Sequence, residues 1–132
     1  MSSSPPRAIV IGHGDFAVGI ASAVSQITGR SDRLIALSNR GMSGEAIEEA
    51  IAAATADSGV QVIFSDLPGG SATIAARRVI RRRESLVLVA GVSLAVLLDF
   101  VMSEETDARI AATHAAERGR TAIAVIGGGD GR

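Results

Sequence analysis

The chain is 132 residues long, which accommodates one domain with an ordinary core and leaves no room for a second. Hydrophobic residues make up 47% and aromatic ones 2%, so the core must be built from aliphatic side chains and alanine. Absence of cysteine excludes disulfides, thiolate metal centres and thiol nucleophiles and suits a reducing compartment, while a formal charge of −1 argues against nucleic acid as the main partner.

The first six residues are small, polar or proline and read as a disordered tail, with a single domain over 7–126 and a glycine-rich tail over 127–132. No basic-then-apolar leader opens the chain. The apolar stretch from Leu86 to Val101 is broken by Gly91, Ser93 and Asp99, so it is not a membrane span. Ala8-Ile9-Val10-Ile11, ended by Gly12, is a continuous apolar run, the pattern of a strand buried on both faces. From Asp15 the period changes: Phe16, Ile20, Val24 and Ile27 give an amphipathic helix stopped by Gly29. A second strand fits Leu34 to Leu37. Ser43 caps a second helix with Ala46, Ile47, Ala50, Ile51 and Ala54 inward, and Gly59 follows it. The third strand spans Val60 to Ser65 and ends in Asp66; after Leu67-Pro68-Gly69-Gly70, Ser71 caps a third helix to about Arg82. The fourth strand is Leu86 to Val89. Ser93 caps a helix carrying Leu94, Leu97, Leu98 and Val101, and another helix covers Glu105 to Arg118. A last strand, Thr121 to Ile126, is predicted after Gly119. It is apolar without alternation, so both its faces should be covered, by its own sheet or by a partner's.

Strands alternating with helices imply an α/β fold of three layers, a mainly parallel open sheet with helices on both faces. Such sheets bind ligands beyond the carboxyl ends of the strands, where strand order reverses; with the common order 2-1-3-4 that point lies between the first and third strands. The loops there are Gly12-His13-Gly14-Asp15 and Asp66-Leu67-Pro68-Gly69-Gly70-Ser71. Small neighbours leave the His13 ring open on both faces. A carboxylate at Asp66 can accept the N–H of one ring nitrogen and leave the other with a free lone pair, which is what a nucleophilic or phosphate-accepting histidine needs. Helix N-termini after both loops favour a dianion, Ser71 adds a hydroxyl, and Gly14, Gly69 and Gly70 let backbone amides approach it. Each residue also has a plainer reading: His13 as a hydrogen-bonded loop residue, Asp66 as a helix-flanking carboxylate, Gly-Gly-Ser as turn and cap. Their coincidence at one switch point favours function.

Other chemistries fall away. Gly12-His13-Gly14 lacks the third glycine of a dinucleotide fingerprint, and with no lysine in the chain a P-loop is excluded. Two histidines make no zinc site, and Asp15 with Asp66 has no further carboxylates for a magnesium ion, so no metal and no cofactor are expected. His114, on the stripe Ile110, Ala111, His114, Ala115, reads as structural. Arg77, Arg78, Arg81, Arg82 and Arg83 read as a solvated face suited to a helix C-terminus, or as a docking patch for an acidic partner.

Ile11-Gly12-His13-Gly14, Ala17, Asp66-Leu67-Pro68-Gly69-Gly70-Ser71, Ala75-Ala76-Arg77 and the run from Ala90 to Leu98 together resemble the IIA component of mannose-type sugar phosphotransferase systems, in order over almost the whole chain. The resemblance implies a cytoplasmic phosphocarrier. His13 matches the phosphorylated histidine, Asp66 the aspartate bonded to its ring, and Ser71 the Ser/Thr after Gly-Gly. Phosphate would come from the histidine phosphocarrier protein and pass to a IIB component for sugar uptake, with the membrane reached only through permease partners. The family's last strand is antiparallel and exchanged across a homodimer, which the resemblance carries over to Thr121–Ile126. Three positions depart from the family's commoner residues: Pro68 replaces a larger apolar residue, Ala72 a proline, and Gly12 a small hydroxyl residue. Some relatives serve dihydroxyacetone kinases or regulation instead; the rivals of another class are an anion-binding module without transfer and an isomerase or hydrolase with His13 as base.

Overall fold

Four short apolar runs form a parallel sheet in the computed structural model, which describes residues 6–56 and 58–129. The strands are β1 (Ala8–Gly12), β2 (Leu34–Ser38), β3 (Val62–Ser65) and β4 (Val87–Ala90), in the order β2-β1-β3-β4, the common order expected from the sequence. Five helices connect or follow them: α1 (Phe16–Thr28), α2 (Gly44–Ala56), α3 (Ser71–Arg81), α4 (Leu94–Met102) and α5 (Ala108–Ala122). The N-terminal tail expected at 1–6 and the glycine-rich tail expected at 127–132 lie in large part outside the described residues. Among the described residues no helix is long and apolar enough to cross a membrane.

The unbroken apolar strands follow from the layering. Side chains alternate across a strand, so a strand covered on both faces must be apolar at every position. Ala8 and Val10 of β1, with Val62 and Phe64 of β3, pack against α1, α4 and α5. Ile9 and Ile11, with Ile63, pack on the other face against Ile47 and Ile51 of α2 and Ala72, Ala75, Ala76 and Val79 of α3. The few aromatics are used sparingly: Phe64 and Phe100 meet edge to face, with centroids 5.1 Å apart. Ile27 is exposed and leaves the inner face of α1 to Ala17, Ile20 and Val24.

The caps divide. Ser43 Oγ accepts the Ala46 N–H at 3.1 Å, and Ser93 Oγ accepts that of Val96 at 3.3 Å, both as the sequence predicts. Ser71 is not a cap: Gly70 holds that position, and Ser71 is the first helical residue. The third strand begins at Val62 rather than Val60, and α5 is capped by Asp107, whose Oδ1 accepts the Ile110 N–H at 3.1 Å.

The largest departure is at the C-terminal end. The strand expected over Thr121–Ile126, antiparallel and last in the sheet, is absent from the chain's own sheet, and all four strands are parallel. Gly119 does not stop the preceding helix. It is buried against α4, where an added Cβ would lie 2.2 Å from Val96 Cγ2, so its small size serves close helix packing and α5 continues to Ala122. Beyond it Ile123 is extended, no regular structure follows through 126, and Ile123, Val125 and Ile126 stand at 80%, 96% and 77% exposure. An extended backbone becomes a strand only where another backbone takes up its N–H and C=O groups.

Candidate functional site

The loops after β1 and β3 converge because those strands are neighbours, Ile11 being in register with Ser65. The next two residues of the first loop and the next one of the second are thereby placed face to face. Asp66 Oδ2 accepts two hydrogen bonds from one residue, the His13 backbone N–H at 2.9 Å and the ring Nδ1–H at 2.8 Å, and Oδ1 accepts the Leu67 N–H at 2.9 Å. The His13 side chain is 55% exposed and that of Asp66 only 9%. The carboxylate is thus the buried anchor and the ring the accessible part.

Burial by itself would raise the Asp66 pKa. The hydrogen bonds from the His13 backbone and ring, and the attraction of the ring's charge, outweigh it and hold the carboxyl below its ordinary range. An ionised Asp66 can only accept, so the proton between the two side chains sits on Nδ1. In the neutral ring Nε2 then carries the in-plane lone pair, on the edge of the imidazole away from Asp66.

Glycines make this approach possible. A Cβ at Gly12 would lie 2.8 Å from both Cγ and Oδ2 of Asp66 and 2.9 Å from a Phe16 ring carbon. One at Gly70 would lie 3.2 Å from His13 Cε1. Gly14 turns the loop with φ +51°, and its carbonyl accepts from Ser38 Oγ at 2.9 Å. The amide expected to point from Gly70 toward an anion is otherwise engaged: it donates to the Leu67 carbonyl at 3.1 Å, so Gly70 supplies room rather than a donor. The second loop is braced from beneath by Thr73, whose Oγ1 bonds the Leu67 carbonyl and Ser65 Oγ. Gly70 gives the start of α3 no side-chain cap, so the N–H groups of its first turn face the site without a side-chain acceptor. The N-terminus of α1 is likewise uncapped, Asp15 making no capping bond.

Ser71 lies at the start of α3, and its Oγ accepts from Asn39 Nδ2 at 3.1 Å. Asn39 is buried just past β2, tied by its N–H to the Gly12 carbonyl at 3.2 Å. Its neighbour Arg40 reaches back over the first loop: Nη2 lies 3.0 Å from Asp15 Oδ1 and 3.3 Å from the place of a Cβ on Gly14. The sequence reading misses both. The only sequence signal is position, since a residue just beyond a strand adjacent to β1 must face the same loop.

The remaining candidates lie elsewhere. His114 is exposed on α5, facing outward rather than along the buried stripe of Ala111 and Ala115, and its Nδ1 pairs with Asp99 Oδ2 at 2.8 Å. In the arginine run, Arg78 and Arg82 pair with Glu48 of α2 at 3.9 and 3.0 Å, and Arg83 donates to the Thr55 carbonyl at 3.0 Å, so three of the five brace the end of α3 against α2. Asp15 faces Arg40 and Asp66 faces His13; among the described residues no group of three or more histidines and carboxylates could hold a metal ion.

Residues 7–117 match the family model described as the fructose IIA component of the phosphotransferase system. Three solved structures share the fold. A phosphotransferase component EIIA from Streptococcus agalactiae is 19% identical, covers 90% of this chain and 95% of its own, and superposes with a TM-score of 0.83. A mannose/sorbose-specific IIA subunit from Enterococcus faecalis is 21% identical over 94% of this chain and 96% of its own, with a TM-score of 0.81. A IIA protein associated with the fucose utilization operon of Streptococcus pneumoniae is 22% identical over 95% and 96%, with a TM-score of 0.76. No curated protein sequence matches the chain significantly.

Proposed function

Because the chain belongs to the family of mannose-type IIA components of the phosphotransferase system, we propose that it is a phosphocarrier with His13 as its acceptor. The observation that carries this reading is the 2.8 Å contact of Asp66 Oδ2 with His13 Nδ1, which leaves Nε2 free on an accessible ring. The lone pair of Nε2 attacks the phosphorus of a donor phosphohistidine. A new N–P bond forms as the donor's N–P bond breaks, and that electron pair returns to the donor ring. His13 keeps its Nδ1 proton throughout, so its ring becomes cationic as it takes the phosphoryl group, and the Asp66 carboxylate balances that charge where it develops.

The transition state is loose, with charge on three equatorial oxygens. Those oxygens are held by the uncapped first turn of α3, the Gly69 amide, the Ser71 hydroxyl oriented by Asn39, and positive charge from Arg40 beside Gly14. Onward transfer is the same reaction reversed onto an acceptor. We assign the histidine phosphocarrier protein as donor and a IIB component as acceptor, in phosphoenolpyruvate-dependent sugar uptake in the cytoplasm. A homodimer is part of this reading, supported by the exposed apolar residues Ile123, Val125 and Ile126, which a second copy would cover.

The test is intact mass after incubation with phosphorylated histidine phosphocarrier protein. Wild type and His114→Ala gain one acid-labile phosphoryl group, and His13→Ala gains none. Labelling of His13→Ala at the wild-type rate would remove the assignment.

A further inference from the structure

Phosphoryl transfer at His13 calls on the Ser71 hydroxyl as a donor, yet a serine hydroxyl can donate or accept and turns to suit its neighbours. Which it does here is decided from β2. Ser38, the last residue of β2, is in register with Gly12, so the next residue, Asn39, stands at the level of His13. Its backbone is fastened at both polar groups: the N–H donates to the Gly12 carbonyl at 3.2 Å, and the carbonyl accepts the Met42 N–H at 3.1 Å. The residue is only 9% exposed, and its side chain reaches across to the other loop, where Nδ2 donates to Ser71 Oγ at 3.1 Å. One buried residue thus ties the loop after β1 to the start of α3.

The bond from Asn39 fills one lone pair of Ser71 Oγ and turns the hydroxyl proton away from Asn39. The carbonyl four residues earlier, a common acceptor for a helical serine, is that of Leu67. It already accepts from the Gly70 N–H at 3.1 Å and from Thr73 Oγ1, which occupies both of its lone pairs. Among the described residues Ser71 Oγ donates to no acceptor, and the residue is exposed. Its neighbour Gly70 stands against the His13 ring, where an added Cβ would lie 3.2 Å from Cε1, the ring carbon bonded to Nε2. An uncommitted hydroxyl proton is therefore carried one residue from the part of the ring that adjoins Nε2.

We propose that Asn39 is a positioning residue for phosphoryl transfer: by donating to Ser71 Oγ it commits the Ser71 proton to an oxygen of the phosphoryl group on His13. The proposal rests on the phosphocarrier reading. What matters is that the side chain at this place is an amide. A carboxylate of the same shape, when ionised, could only accept, and would take the Ser71 proton for itself. An apolar side chain of similar size would leave the hydroxyl free to turn.

The experiment is a double-mutant cycle in the intact chain, read as the single-turnover rate of transfer from saturating phosphorylated histidine phosphocarrier protein. Ser71→Ala should slow transfer by about tenfold or more. Asn39→Leu should slow it by about three- to tenfold, the worth of one hydrogen bond, and Asn39→Asp by about tenfold or more. On a Ser71→Ala background Asn39→Leu should cost nothing further, and Asn39→Asp only what its charge costs, less than on the wild-type background. A role in holding the fold alone would cost the same on both backgrounds, and that additive result would overturn the proposal. So would wild-type rates in both Asn39 variants. Asn39→Asp keeps the shape of the side chain and carries the cycle if Asn39→Leu does not fold. Uptake of no phosphoryl group by the wild-type chain, read by intact mass, would instead remove the phosphocarrier reading, and this proposal with it.

Discussion

Replacing Gly12 by alanine adds one methyl group at the point where Asp66 and Phe16 close over the backbone. That methyl would stand 2.8 Å from Asp66 Cγ and Oδ2 and 2.9 Å from Phe16 Cδ2, where ordinary contact begins near 3.4 Å. Phe16 opens helix α1 and packs on the core, so the carboxylate gives way, by about 0.6 Å if it takes the whole difference. The same Oδ2 holds the His13 backbone N–H at 2.9 Å and Nδ1 at 2.8 Å. A retreat of that size stretches both bonds to about 3.4–3.5 Å, beyond effective hydrogen-bond length. The ring loses its fixed tautomer and orientation. We expect phosphoryl transfer to slow by about 10–100-fold, in line with the cost of misplacing a reacting group by a large fraction of an ångström. Overpacking should also lower stability by about 1–3 kcal/mol. Quench-flow transfer from phosphorylated histidine phosphocarrier protein reads the first effect, and the midpoint of urea unfolding the second. Wild-type rate together with a wild-type midpoint in Gly12→Ala would refute the argument that this glycine is kept for the approach of Asp66.

Asp66→Asn keeps the shape of the side chain but can turn an amide donor toward Nδ1; transfer should fall by about 10²-fold or more, and an unchanged stopped-flow rate would exclude the orienting role. Because the folded state lowers the Asp66 pKa, the stability this carboxylate contributes is present above the unfolded carboxyl range, near about 4, and is lost as pH falls from there through the lower folded value. The stability difference between wild type and Asp66→Asn should therefore shrink on acidification over that window in urea unfolding; a difference that does not change with pH there would contradict the linkage. Gly119→Ala places a methyl 2.2 Å from Val96 Cγ2 and should lower the unfolding free energy by about 1–3 kcal/mol while leaving transfer intact. An unchanged unfolding midpoint would show that α4 and α5 can part there freely.

The sheet was legible because its strands are short apolar runs with helical periods between them, and its strand order is the common one for an open parallel sheet of this kind. The meeting of His13 and Asp66 was legible for the same reason: adjacent parallel strands must deliver their next residues to the same edge. Asn39 and Arg40 were not, since nothing local marks a polar residue after β2 as the one that bonds Ser71 or bridges to Asp15. Gly70 looked like an amide donor, and the sequence does not reveal that the Leu67 carbonyl takes its N–H. The C-terminal error has a single physical source. Glycine near the end of a helical pattern is read as a stop, yet Gly119 is required by the closeness of α4, a tertiary fact. The apolar run after it has no period, and whether it becomes a strand depends on a backbone partner that one chain's sequence does not specify.

The most direct test of the account is the state of the His13 ring in the phosphorylated protein, read from the chemical shifts and couplings of its two nitrogens by NMR. The account predicts phosphorus on Nε2 and a proton on Nδ1, hydrogen-bonded to Asp66. Phosphorus on Nδ1, or an unmodified His13 ring in protein that has taken up phosphate, would contradict it.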